Sequence, residues 1–363
     1  MTELARCATM LRMDTAPANE PDRPIDGVLL VSFGGPEQPD DVVPFLRSVT
    51  RGANIPEERL RQVGEHYFLF GGRSPINDQN RELLSAIETE FAARGHHWPL
   101  LWGNRHWHPL LPDTLRAAKQ EGRRRLVVLT TAAYPSYSGC RSYREALAEA
   151  AADRDDGEGE GFEFLRIGNY ALDEGFVQAN ANAVAAALAS VEPGARVVFV
   201  THSIPTAMDD ASGPAGQPGT YVAWHQRVAE RVCALLGVED FDLAFCSRSG
   251  PPSQPWLEPD VNDHLEALAE RGVRSVVLAP IGFTSDHMEV IYDLDTEARQ
   301  TCDRLGLSMA RSATAGVDPA FVRTLVDRIE AAAARRDPTE TPPGCGGLGC
   351  CSNLREPDRE AVH

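Results

Sequence analysis

The chain has 363 residues, of which 42% are hydrophobic, and a formal charge of -18 at pH 7. That length suggests about two α/β domains with ample core, and the negative balance argues against nucleic acid and anionic lipid as partners. No apolar stretch approaches the roughly 20 residues that span a bilayer, and the first twenty lack a signal-peptide core, so a soluble cytoplasmic enzyme is expected. The eight cysteines of such a chain point to free thiols or metal ligation.

Residues 1–24 are expected to be a disordered leader. The first domain, over 25–161, opens with a strand at 27–31, the turn Ser-Phe-Gly-Gly-Pro and a helix over 40–49. Gly34 and Gly35 lack the further glycines of a dinucleotide fingerprint and the ending of a Walker loop, which disfavours a nucleotide. Tyr67, Phe68 and Phe70 then crowd ahead of Gly71-Gly72, either as core or as the apolar wall of a pocket for a flat ligand. Pro75 suits the first position of a helix running to about residue 94. A strand at 100–102, a helix over 112–120 and a strand at 126–130 follow, the last leading through Tyr-Pro-Ser-Tyr-Ser-Gly-Cys into another helix. The same layout of strand, small-residue turn and helix recurs after Val276, hinting at two related halves.

The loop 153–161 carries charge and glycine without apolar residues, which marks the domain boundary. In the second domain, 162–314, the run 196–200 reads as a buried strand ending in Thr-His-Ser-Ile-Pro. His202 thus sits at a strand end, either facing a cleft as base or metal ligand or bonded within the structure. The Gly/Pro-rich stretch 212–220 reads as a flap, and the Pro-rich loop after Phe245 is long enough to suggest function. The strand at 276–279 runs through a Pro/Gly turn into a helix predicted to start near His287, with Asp286 as N-cap and Glu289 completing a capping box. Glu289, Asp293 and Glu297 recur every fourth residue, which stacks like charges on one face. Such a ladder is either a solvated acidic face or the lining of a cation site. His287 is expected to be a surface or capped histidine. A helix over 319–335 and a tail with Gly-Cys-Gly-Gly-Leu-Gly-Cys-Cys complete the chain, and 315–363 is expected to pack back on the first domain.

Taken in order, Ser-Phe-Gly-Gly-Pro, Phe-Gly-Gly-Arg-Ser-Pro-Ile, Thr-His-Ser-Ile-Pro, Ser-Arg-Ser-Gly-Pro-Pro with Pro-Trp-Leu-Glu-Pro-Asp, and Pro-Ile-Gly-Phe-Thr-Ser-Asp-His-Met-Glu-Val resemble the ferrochelatase family. The likeness runs from about residue 27 to 335 and is strongest to the soluble branch that metallates coproporphyrin III. It implies two Rossmann-like domains, each a parallel sheet flanked by helices, facing each other across a porphyrin cleft. It also implies a lyase of haem biosynthesis that inserts Fe(2+) into coproporphyrin III as a monomer, with transient contact to neighbouring haem-pathway enzymes. Protoporphyrin IX as substrate and a non-catalytic tetrapyrrole carrier are the alternatives.

By motif, His202 and Glu289 match the family's metal-site pair, while Asp293 and Glu297 match a second metal position or proton passage. Phe33, Ser74, Tyr143, Tyr67 and Phe70 fall at porphyrin-contacting positions. Phe33 stands where some relatives have a tyrosine and is not an iron ligand, and Thr50 and His66 stand where some have arginines for propionates. The tail resembles members that carry a two-iron two-sulfur cluster, with Cys345, Cys350 and Cys351 as ligands and Cys140 as the fourth. Zinc is the competing metal, Cys246 the competing ligand, and Cys140 is expected at a helix start whose N–H groups favour an anionic cluster.

Overall fold

The computed structural model describes residues 24–52, 55–152, 161–214, 217–251 and 253–363. The leader expected over 1–24 lies, apart from Pro24, outside the described residues, as do 153–160 of the charged loop and 215–216 of the flap.

Short apolar runs become the strands of two all-parallel sheets. The first is built from β1 (Gly27–Ser32), β2 (Leu100–Asn104), β3 (Arg125–Thr130) and β4 (Glu163–Arg166), in the spatial order β2-β1-β3-β4. The second comprises β5 (Arg196–His202), β6 (Phe241–Cys246), β7 (Ser275–Ala279) and β8 (Ser308–Arg311), in the order β6-β5-β7-β8. Each sheet therefore places its second strand, first, third and fourth side by side, so the two halves share one topology. The central strands β1 and β7 are buried along their whole length, as strands covered by helices on both faces must be. Burial of each Val, Leu or Ile there contributes about 1.5–3 kcal/mol.

The halves are tied together near the strand ends. The Thr284 hydroxyl donates to the Thr131 carbonyl at 3.0 Å, and the Asp286 N–H to Gln79 Oε1 at 2.7 Å. The helix Pro319–Ala333 returns across the molecule to pack on the helices Glu174–Leu188 and Ile76–Arg94. Its Arg328 grips Asp173 at 2.5 Å, and its Glu330 meets Arg94 at 3.0 Å.

Two local expectations are corrected, and so is the boundary expected at 161: β4 lies beyond it yet pairs with β3 in the first sheet. Asp286 is not an N-cap: its carboxylate pairs with Arg311 at 3.1 Å, and the helix starts at Met288 behind the extended residue His287. Pro75 precedes the helix Ile76–Arg94 instead of opening it. A helix over Glu57–Phe68, unforeseen in the sequence, carries Tyr67 and Phe68.

Candidate active site

The site gathers where the C-terminal ends of strands from both sheets meet, the usual ligand position in open α/β sheets. Phe33 follows β1, His202 ends β5, and Glu289 lies just past β7 in the short helix Met288–Tyr292. His202 Nε2 is 3.5 Å from Glu289 Oε2, and His287 Nδ1 is 3.8 Å from the same oxygen. The other ring nitrogen of His202, Nδ1, hydrogen-bonds to the Ser203 carbonyl. That bond fixes the ring so that Nε2 is turned to the carboxylate.

Burial disfavours the His202 imidazolium, yet the hydrogen bond and charge of Glu289 outweigh it and raise its pKa. Burial likewise opposes the Glu289 carboxylate, but pairing with His202 lowers its pKa to about 2. The Glu289 side chain is 53% accessible and His202 30%. Solvent screening therefore keeps the net stability gain small. His287 moves the other way, downward, because burial outweighs its attraction to Glu289. It packs edge-on against Phe283 at 5.1 Å, and its place two residues before Glu289 was the signal that it belongs to the site rather than the surface.

Asp293 and Glu297 continue from Glu289, but not on a regular α-helix. Residues Asp293–Ala298 form a π-helical turn, a feature that is rare and frequent at functional sites. Asp293 accepts a hydrogen bond from the Ser247 hydroxyl. Burial, reinforced by Glu289 and Glu297, raises its pKa to about 7 against the opposing effect of that bond. Glu297 is exposed, as is Glu289, with Asp293 part-buried between them. Ser247 holds a positive φ of 63° without being glycine; nothing in its sequence context announced it.

On the side of the first sheet, Phe33, Phe45, Tyr67 and Trp107 gather in one aromatic cluster. Phe33 packs on His106 (4.5 Å between ring centroids) and Phe45 (6.2 Å), and Phe45 on Tyr67 (6.0 Å) and Trp107 (6.3 Å). Burial, with Glu289 nearby, pushes the Tyr67 hydroxyl far up, so it stays protonated. Burial also holds His106 neutral, with its pKa down to about 3. Neither His106 nor Trp107 was singled out in the sequence. His66 stacks on Tyr292 at 3.8 Å, so the helix Glu57–Phe68 closes against the helix of Glu289. Phe70 is part-exposed beyond it, and Thr50 donates to the Leu46 carbonyl at 2.8 Å. Ser74 is buried so tightly against Gly35 that a Cβ there would lie 2.7 Å from the Ser74 Cβ. Tyr143 is also buried, with the Arg105 guanidinium 4.7 Å above its ring.

A second cluster lies where the tail meets the first sheet. Cys140, Cys345, Cys350 and Cys351 close into a ring of thiol contacts, each touching two others. Cys350 Sγ and Cys351 Sγ are 3.6 Å apart. Hydrogen bonds from Cys140 and Cys350, with Arg166 alongside, hold the Cys345 thiol far below its usual range, while its partners are pushed up. The Arg166 guanidinium donates to Cys345 Sγ at 3.7 Å and the Gly213 N–H to Cys351 Sγ at 3.3 Å. Such donors suit sulfur that carries negative charge. Cys140 lies inside a π-helical turn, Tyr137–Arg141, with its N–H bonded to the Ser136 carbonyl. Arginine side chains, not a free helix start, therefore supply the positive surroundings. Cys246 stands apart, buried at the end of β6 in register with His202. Among the described residues no group of three or more His, Cys, Asp or Glu side chains stands at metal-ligand geometry; the thiols bond to one another.

A family model described as Ferrochelatase matches residues 25–333. This chain belongs to the ferrochelatase family. Over 347 residues it is 52% identical to a coproporphyrin III ferrochelatase of Streptomyces coelicolor, covering 91% of this chain and 92% of that one. A coproporphyrin III ferrochelatase of Mycobacteroides abscessus is 48% identical, with 84% and 87% covered, and one of Leifsonia xyli 44%, with 93% of each covered. Among solved structures, SirB from Bacillus subtilis with Fe3+ superposes with a TM-score of 0.50 at 14% identity, over 85% of this chain and 96% of that one. That likeness shows the fold: two chelatase-type Rossmann-like halves.

Proposed function

We propose that this ferrochelatase inserts Fe(2+) into coproporphyrin III, releasing the two pyrrole protons. The observation that carries the reading is the His202–Glu289 pair, 3.5 Å apart and near enough to Tyr67 for Glu289 to act on its hydroxyl, in a chain whose relatives bear that name. The flat ring lies against Phe33, Tyr67 and Trp107, which offer apolar contact. His202 Nε2, once free of its proton, presents a lone pair to Fe(2+), for which imidazole and carboxylate are apt ligands. Glu289 accepts a departing proton, and His202 Nε2 accepts one only after it has given up the iron. Asp293, titrating near 7, passes them along the π-turn to Glu297 and water. Arg105 suits a substrate carboxylate: its Nε has no hydrogen-bond partner among the described residues.

By donor type, four thiols, the residues of the thiol ring suit a two-iron two-sulfur cluster. Cys140, Cys345, Cys350 and Cys351 would hold it, and a bound cluster supplies a covalent pin for the tail. The tail is already strapped down: Arg141 donates to the Leu348 carbonyl at 2.6 Å and Arg144 to the Val362 carbonyl at 2.7 Å. We further propose a monomer working in the cytoplasm, at most in transient contact with enzymes that supply or receive its tetrapyrrole; no helix among the described residues is long and apolar enough to cross a membrane.

Parallel metalation assays with coproporphyrin III and protoporphyrin IX test the substrate. Faster turnover of the four-carboxylate ring is expected. Preference for protoporphyrin IX overturns the choice of substrate, and tight binding of either ring without turnover overturns the enzyme.

A further inference from the structure

The aim of His202 depends on the single peptide that joins it to Ser203. The N–H of that peptide donates to the Cys246 carbonyl at 2.7 Å, and its C=O accepts from the Tyr221 hydroxyl at 2.9 Å. Because Nδ1 of the ring bonds to the next carbonyl along, that of Ser203, a rotation of this peptide swings Nε2. One end of the peptide is held by the sheet. The other is held by Tyr221 alone among the described residues.

Tyr221 is itself fixed at several points. It is 7% exposed, in the first turn of the helix Thr220–Leu236. Its hydroxyl lies 2.8 Å from Thr201 Oγ1, which meets His225 Nε2 at 2.9 Å, while His225 Nδ1 donates to the Tyr221 carbonyl at 2.7 Å. The helix has Gly219 at its cap position, so no side chain caps it locally. Ser212 and Asp209 do so from a distance: Ser212 Oγ accepts from the Tyr221 N–H at 2.8 Å and Asp209 Oδ1 from the Val222 N–H at 3.2 Å. Next to Ser212, Gly213 is clasped by Cys351 on both sides, N–H to Sγ at 3.3 Å and carbonyl to the Cys351 N–H at 3.3 Å.

We infer that Tyr221 is a positioning residue for metal insertion, setting the His202 peptide from an anchor that runs through Ser212 and Gly213 to Cys351. The inference deepens the proposed reaction and rests on His202 being the metal ligand. Tyr221→Phe keeps the ring and its packing and removes only the hydroxyl. The variant should raise the KM for iron about tenfold, the scale of one lost hydrogen bond, with the KM for porphyrin unchanged. A packing role alone would lower melting temperature and leave that split absent.

A readout independent of turnover is Zn2+ titrated into histidine-labelled full-length protein without porphyrin. It is followed at the His202 ring resonance, which is assigned by its loss in His202→Ala. Weaker binding at that resonance in Tyr221→Phe supports the inference, and wild-type affinity overturns it, whether or not coproporphyrin proves to be the substrate. For the anchor, Ser212→Ala and Cys351→Ala should each weaken Zn2+ binding at His202 and add little further in the Tyr221→Phe background. Independent, multiplying factors would sink the anchor.

Discussion

His202 Nε2 and Glu289 Oε2 stand 3.5 Å apart, although one ends β5 and the other lies past β7. Each shifts the other's protonation: the imidazole holds its proton to higher pH and the carboxylate loses its own sooner. Bringing a metal to this place means taking the proton that the pair shares. His202→Ala should therefore lower iron insertion by at least about a hundredfold, the lower range for loss of a general base, with porphyrin binding retained. Initial-rate metalation beside fluorescence quenching of the bound ring checks both halves of that statement, and near-wild-type rates would remove His202 from the chemistry.

Asp293 gives a prediction whose sign differs from the usual carboxylate. Its folded pKa, about 7, lies above the roughly 3.9 of an unfolded aspartate. Between those values the native state binds more protons than the unfolded state, so this group subtracts stability as pH rises, and the loss is complete above about pH 7. Asp293→Asn should thus raise the melting temperature at pH 8 by about 2 °C or more and change it little at pH 4, while slowing turnover about tenfold. A variant less stable than wild type at pH 8 would count against the shifted carboxylate.

Gly282 is constrained by the strand that carries His202. A Cβ there would lie 2.0 Å from Thr201 Oγ1 and 2.8 Å from the Thr201 main chain. Gly282→Ala has to push β5 aside and should cost about 1–3 kcal/mol together with most of the activity. Chemical denaturation and metalation rates report the two effects, and an unchanged midpoint would show that the strand yields freely.

The thiol ring predicts a colour. Protein purified without oxygen should be reddish brown, with visible absorption that dithionite bleaches, and Cys140→Ser should lose it. Zinc in a colourless preparation would replace the cluster with a four-thiolate zinc site.

Strands and the residues His202 and Glu289 that meet at the candidate site were legible because their signals are local. Runs such as Val276 to Ala279 can hardly be anything but buried parallel strands, and His202 is marked by standing at the end of one. The helix Glu57–Phe68 was missed because its sequence, EERLRQVGEHYF, is polar on average and its place comes from packing against Phe45 and Tyr292. The π-turn under Asp293 was equally hidden: spacing by four fits an α-helix as well. Ser247, Tyr221 and His106 gain their roles from partners tens of residues distant, which no local pattern records. Asp286 misled for a related reason, since Arg311 claims the carboxylate that a local capping rule would assign to the helix.

The shared strand order has one more consequence. β1 and β5 occupy the same place in their sheets, and the residues leaving them are unlike: Phe33 after one, His202 at the tip of the other. On the proposed reading a planar guest meets the Phe33 ring on one side and the His202 imidazole on the other. The fold's near-symmetry would thus make the proposed site handed, with an ion captured from the His202 side and the opposite side serving as the surface against which the guest is pressed.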